Sequence, residues 1–320
     1  MPSTLHLLML PAAFVLDLLI GDPLRLPHPI RWMGTAIERC EPFFRRRFRR
    51  LAHAGFWFAV FLISATWLSG FVAIYLARQW HPWCGWILEV ILIYYCLAAR
   101  SLLQAARDVR DALVESGLTT GRRMVARIVG REVHHLTATG VSRAAVESVA
   151  ENMVDGVLAP LFFAAIGGAP LALAYKMINT LDSMVGYRNA RYQLFGRAAA
   201  RIDDGANWIP ARLAVPLTAL GSVFLGFDGL CAWRTGRREG RFHASPNAGF
   251  AEAAFAGALR VRLGGPNVYH GRRVDKPWIG AAFAEATPAD ISRAGVLMLT
   301  TSMLAMLLAW GAAWLTACAR

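Results

Sequence analysis

The stretch 147–189, ESVAENMVDGVLAPLFFAAIGGAPLALAYKMINTLDSMVGYRN, carries in succession an acidic face, a strongly apolar insert and a polar, basic face. In a helix, Glu147, Glu151 and Asp155 recur every four residues and share one side, with Asn152 alongside. Like charges at that spacing repel by only about 0.2–0.5 kcal/mol per pair in water. The penalty grows as the local dielectric falls, and the residues that follow are apolar enough to enter a bilayer. A cation opposite the stripe offsets it, so the stripe is a candidate metal site (Glu147, Glu151, Asp155) set against the plainer reading of a solvated helix face. After the insert, Lys176, Asn179, Thr180, Ser183 and Tyr187 repeat at steps of three or four, with Asp182 and Arg188 beside them. Between the two faces, Gly167-Gly168-Ala169-Pro170 suits a helix end followed by the first turn of another helix. A helical hairpin there brings both faces to one side. A single span over 157–175 separates them. The hairpin is favoured, as a re-entrant element whose turn is shielded by protein or lines a cavity.

Working outward, the chain of 320 residues is 56% hydrophobic and 17% charged, with mean hydropathy +0.39, which excludes an ordinary soluble domain. The expected fold class is all-α: one polytopic membrane domain, a helical bundle with cytoplasmic helical segments. Span candidates are 5–20, 51–77, 83–99, 157–175, 213–230 and 295–317, and the polar segments 100–156, 176–210 and 233–290 hold the site. The first apolar run lacks the basic region and small-residue cleavage site of a signal peptide, so it is expected to stay as a membrane segment. The formal charge of +13 comes from arginine clusters between apolar segments, such as Arg45-Arg46-Arg47, Arg122-Arg123 and Arg237-Arg238. That pattern holds loops on the cytoplasmic side against anionic lipid, so topology rather than nucleic acid accounts for it. Cys40, Cys84, Cys96, Cys231 and Cys318 have neither disulfide-framework nor metal-ligand spacing and read as packing residues.

Several polar motifs lie outside the central stretch. Asp22 and His28 flank a proline-rich turn and are candidate substrate or metal groups, although Asp before Pro is a common turn former. Adjacent His134 and His135, if helical, point to different sides, which argues against a metal held by the pair. Asp203, Asp204 and Asn207 precede an apolar run, where an Asp often serves as a cap. Ser245-Pro246-Asn247 opens an alanine-rich helix, and the free N–H groups of such an opening favour an anion, against the alternative of a plain cap. Lys276 follows Arg272-Arg273, and with Lys176 it makes up the chain's two lysines.

Taken together, GDPLRLPHPIRWMG, ESVAENMVDGVLAPLF, YKMINTLDSMVGYRN, DDGANWIPARL, SPNAGFAEAAFAGALRVRLGGPN and KPWIG resemble, in order and over nearly the whole chain, the adenosylcobinamide-phosphate synthase family of cobalamin-biosynthesis membrane proteins. The resemblance implies ATP-driven amide formation between adenosylcobyric acid and aminopropanol or its phosphate, in the inner membrane with the active face cytoplasmic, and other corrinoid-pathway membrane enzymes as neighbours. A carboxylate is a poor acyl donor, so such a ligase phosphorylates it and lets the amine displace phosphate. Glu147, Glu151, Asp155 and Asp182 are hard oxygen ligands of the kind Mg2+ takes. Lys176, Arg188 and Lys276 are candidate phosphate clamps. Glu147, Glu151, Asp155, Lys176 and Asp182 form the expected catalytic set. Asp22, His28, Asn152, Asn179, Ser183, Tyr187, Arg188, Asp203, Asp204, Asn207, Ser245, Asn247 and Lys276 form the expected substrate-binding set. No Gly-x-x-x-x-Gly-Lys-Ser/Thr run is present, so ATP, if bound, occupies a site of another kind. A permease with broken helices, or a scaffold for other corrinoid enzymes, is the rival reading.

Overall fold

The structure is a computed structural model that describes residues 8–22, 28–187, 189–243, 245–269 and 271–318. Arg188, one of the expected phosphate clamps, lies outside the described residues. The protein is predominantly helical, and among the described residues four helical stretches are long and apolar enough to cross a membrane: Leu51–Trp80, Pro82–Glu115, Ala138–Val185 and Pro288–Leu315. It is an all-α membrane protein, as its composition requires. The chain packs as two compact units, each built from discontinuous segments.

The first unit takes in residues 1–98, 159–207 and 306–320. Its helices are α1 (Met9–Ile20), α2 (Pro29–Arg47), α3 (Leu51–Trp80), α4 (Pro82–Tyr94), α8 (Ala159–Val185) and α9 (Arg197–Ala206). At 30 residues α3 is about 45 Å long, enough to span a bilayer with tilt. Its apolar side chains divide by face: Phe58, Ala59 and Leu62 are buried, whereas Trp57, Phe61, Leu68 and Phe71 are exposed. An apolar helix that exposes aromatic and aliphatic side chains is fitted to lipid. Of the span expected over 5–20, residues 5–7 lie outside the described residues; the described part holds α1, which carries the fully buried Asp17.

Within α8 the backbone leaves helical geometry at Gly167 (φ −141°, ψ 23°) and Gly168 (φ 65°, ψ −162°). The second pair of angles belongs to a region open almost only to glycine. Phe163 and Tyr175 then stack with ring centroids 5.1 Å apart. Twelve residues of straight helix would hold them roughly 18 Å apart along the axis. The chain therefore doubles back at Gly167-Gly168, and the hairpin expected from Gly-Gly-Ala-Pro is present.

The second unit takes in residues 99–158 and 208–305. It contains α5 (Ala99–Glu115), α6 (Leu118–Val125), α7 (Ala138–Met153), a π-helical turn (Val154–Leu158), α10 (Trp208–Phe224), α11 (Gly229–Glu239), α12 (Ala248–Leu259) and the start of α13 (Pro288–Cys318). The span expected over 213–230 is displaced: the helix stops at Phe224, and Asp228 caps the next one by accepting the Cys231 N–H at 2.8 Å. Among the described residues, four short strands fall where the sequence reading placed none. β1 (Leu263–Gly264) pairs with β4 (Trp278–Ile279), and β2 (Asn267–Tyr269) with β3 (Arg272–Val274), all antiparallel. Their glycine turns leave too little periodicity to be seen in the sequence.

Helix α12, AGFAEAAFAGAL, is buried on every side, which its small side chains permit by letting neighbouring backbones approach. A Cβ added at Gly257 would lie 2.5 Å from the Cys231 carbonyl oxygen. In this apolar rod the one ionisable residue is Glu252, and it faces a cavity.

Candidate functional site

A cavity of about 120 Å³ in the second unit is lined by Arg131, Glu147, Ser148, Glu151, His243, Glu252, Gly264, Asn267 and Lys276, with Ile128, Val129, Gly130 and Ala144. Helix α7 contributes Glu147, Ser148 and Glu151; α12 contributes Glu252; β1 contributes Gly264, β2 Asn267, and the segment leading into β4 Lys276. The acidic stripe therefore does face a common space. Its third member, Asp155, sits in the wider π-helical turn that follows α7 at Val154 and is not part of the lining. Such turns shift side-chain register and recur at functional sites. Asp155 still acts on Glu151 electrostatically, as do Glu147, Lys276 and Arg131. Glu151 is exposed, and its accessible surface lies in the lining of the cavity.

Glu147 is the most engaged of the carboxylates. It accepts the Gly264 N–H at 2.7 Å and pairs with Arg131 Nη1 at 2.6 Å, with Arg143 Nε 3.9 Å away. The expected magnesium role for Glu147 thus competes with an ion pair already made. Arg131, whose side chain is only 7% exposed, keeps Nε and Nη2 buried without a hydrogen-bond partner. Buried Asn267 Oδ1 likewise has none. Unmet donors and acceptors at the wall of a polar cavity are costly unless a ligand completes them.

At the other wall, His243 Nδ1 accepts the Ser245 N–H at 3.0 Å, so the neutral ring carries its proton on Nε2, which lies 4.0 Å from Glu252 Oε1. Burial, then the nearby Lys276 ammonium, lowers the His243 pKa. Burial, then the carboxylates of Glu147 and Glu151, holds Glu252 well above the ordinary carboxylate range. Ser245 Oγ accepts the Asn247 and Ala248 N–H groups, each at 3.3 Å, so the helix opening expected to hold an anion is capped by its own serine. Asn247 Oδ1 accepts from Arg212 Nη1 at 3.3 Å, away from the cavity lining. Asn152 donates to the Ser148 carbonyl at 2.8 Å and Oγ at 3.1 Å, and Ser148 Oγ donates to Ile128 O at 2.7 Å.

The other expected residues belong to the first unit. Lys176, Asn179, Asp182, Ser183 and Tyr187 lie on or just past the second limb of α8; Ser183 and Tyr187 are exposed and the others half-buried. Ser183 Oγ donates back to the Asn179 carbonyl at 2.8 Å, a helix-local bond. Asn207 donates to Asp203 Oδ2 at 3.1 Å and accepts the Tyr175 hydroxyl at 2.9 Å, tying α9 to α8, while Asp204 stands half-buried beside them. His28 Nε2 and Asp22 Oδ1 are 3.3 Å apart, and His28 Nδ1 accepts the Ile30 N–H to cap α2. Sequence reasoning missed Arg131, His243, Glu252 and Asn267. Glu252 carried a usable signal, a lone carboxylate within an alanine-rich run; the other three carried none.

Long apolar helices with lipid-fitted faces, and a cavity lined by carboxylates and cations, define a polytopic helical membrane protein with a polar site. The chain belongs to the CobD/Cbib protein family, whose model matches residues 10–298. It is 46% identical over 302 residues to cobalamin biosynthesis protein CobD of Photorhabdus laumondii, covering 93% of this chain and 94% of that one. It is also 46% identical to the CobD protein of Citrobacter koseri and to cobalamin biosynthesis protein CbiB of Salmonella typhimurium, each over 301 residues, 92% of this chain and 94% of theirs. A role in cobalamin biosynthesis follows from this membership. No solved structure matches the chain.

Proposed function

We propose that the protein is an ATP-dependent amide ligase that joins adenosylcobyric acid to aminopropanol or aminopropanol phosphate, giving adenosylcobinamide or its phosphate. The observation that carries this reading is the cavity's complementary unmet groups: Arg131 Nε and Nη2 as donors, Asn267 Oδ1 as acceptor, beside Glu151, Glu252 and Lys276. Carboxylate activation by phosphoryl transfer needs both kinds, cationic donors for anionic oxygens and oxygen ligands for a metal. Arg131 offers a planar, always charged donor edge already oriented by Glu147, and Lys276 a point charge near it. Mg2+ fits Glu151, Glu252 and Asn267 Oδ1 as a hard oxygen set. When bound, the ion would neutralise phosphate charge. Glu147 then serves chiefly to position Arg131. Lys176 and Asp182, on the first unit's polar face, are assigned to the phosphorylated amine or the nucleotide, and the site faces the cytoplasm from the inner membrane.

A second reading, transport, is favoured by one observation in the first unit. Buried Glu89 pairs with Arg78 at 2.5 Å and lines a cavity of about 370 Å³ beside the break at Gly168, where ions and substrates cross in transporters with interrupted helices. Incubating purified protein with adenosylcobyric acid, aminopropanol phosphate, ATP and magnesium, followed by mass analysis, separates the two. Ligation yields corrinoid heavier by the amino alcohol phosphate less water, only with nucleotide. An unchanged corrinoid, together with its flux into proteoliposomes, would establish transport instead.

A further inference from the structure

His134 and His135 do not lie in a helix. Residues 131–137 form an irregular turn ahead of α7, and the two imidazoles sit edge to face with centroids 5.2 Å apart. This overturns the expectation that they point to different sides. Glu132 stands with them: Glu132 Oε2 is 3.8 Å from His134 Nε2, and one ligand atom from each of the three residues lies within 4.8 Å of the others. A gap of 3.8 Å is too long for a hydrogen bond, but two ligands with bonds of about 2.0–2.1 Å to one ion can stand up to roughly 4 Å apart. Exposed imidazoles can close the remaining distance by rotating about their side-chain bonds.

The carboxylate is also held from behind. Glu132 Oε1 accepts the Gly271 N–H at 2.6 Å, and the Glu132 N–H donates to the Val268 carbonyl at 3.1 Å. Both bonds run to the β2–β3 hairpin, leaving Oε2 directed at the histidines. Outer bonds of this kind orient a metal's first ligands.

We propose that Glu132, His134 and His135 form a binding site for a divalent transition metal of the zinc, cobalt or nickel kind, apart from the carboxylate cavity. Two imidazoles and one carboxylate suit borderline ions, whereas magnesium prefers an all-oxygen set. Three protein ligands leave a further position for water. The bound ion draws together three ligands of one turn, and the hydrogen bonds of Glu132 link that turn, which carries Arg131, to the hairpin that carries Asn267. The site stands independently of the proposed ligase reaction.

The test uses full-length protein in detergent, purified without a polyhistidine tag and titrated with Co2+ in excess Mg2+. One equivalent should bind, with visible absorption of low-symmetry, nitrogen-ligated cobalt, and Zn2+ should displace it. The H134A/H135A variant should bind at least tenfold more weakly, with unchanged thermal unfolding in metal-free buffer because both side chains are exposed. Glu132→Gln should weaken binding while His134→Ala alone leaves a partial site. Failure of the wild-type protein to bind cobalt, or equal binding by H134A/H135A, overturns the proposal whatever the ligase assay returns.

Discussion

Replacing Arg131 with methionine removes the guanidinium that faces Glu147 at 2.6 Å and strands a carboxylate only 8% exposed. At that separation and an effective dielectric of about 20, the pair attracts by roughly 6 kcal/mol before desolvation is counted. What remains around Glu147 is the Gly264 N–H at 2.7 Å and Arg143 at 3.9 Å, which offset part of the loss. Breaking a buried pair from one side costs about 3–5 kcal/mol, and Arg143 argues for the lower end. At about 2–4 °C per kcal/mol for a unit of this size, thermal unfolding in detergent should fall by roughly 6–12 °C. Adding Glu147→Gln keeps an acceptor for Gly264 and removes the stranded charge, so R131M/E147Q should recover to within about 1 kcal/mol of the wild type. A single-variant loss below about 1 kcal/mol, typical of an exposed pair, or simple addition of the two losses, would refute the buried pair as described.

Gly168→Ala should destabilise the hairpin by about 1–3 kcal/mol, since φ is +65° and the new Cβ would sit 2.5 Å from Glu89 Oε1; an unchanged melting temperature would argue against the break. Asp228→Ala should cost about 0.5–2 kcal/mol through loss of the α11 cap. The Cys231 N–H and then Arg260 depress the Asp228 pKa, so its contribution is complete above about pH 4, the unfolded value, and fades as pH falls through the folded one; the alanine variant should flatten that acid limb of a stability-pH curve. Glu151→Gln should raise the magnesium requirement of ligation and Lys176→Met should weaken use of ATP or phosphorylated amine, with the double variant little worse than the poorer single one if both serve one site; losses that add in activation free energy would separate them. Cysteines placed at Arg46, Arg123 and Arg237 should resist an impermeant label applied outside intact cells, and efficient labelling at any of them would overturn the topology.

Cobalamin-biosynthesis membership and an all-helical membrane fold were legible in the sequence, because hydropathy is a property of composition and the motif blocks run in one order along the chain. Gly167-Gly168-Ala169-Pro170 announced the hairpin for a local reason: few other residues tolerate that backbone. The four-residue spacing of Glu147 and Glu151 likewise placed both carboxylates on one side of α7. What surrounds them was not legible. Arg131 read as a topological charge until the turn before α7 buried it against Glu147, and Glu252, His243 and Asn267 are more than 90 positions from Glu151. The turn of wider helix that holds Asp155 was not legible either, and His134 and His135 came together because their segment is a turn. Helical periodicity fixes which neighbours along one helix share a face. Which distant groups share a cavity depends on non-local packing, and that was decided only when the buried α12 and the short strand pairs closed over α7.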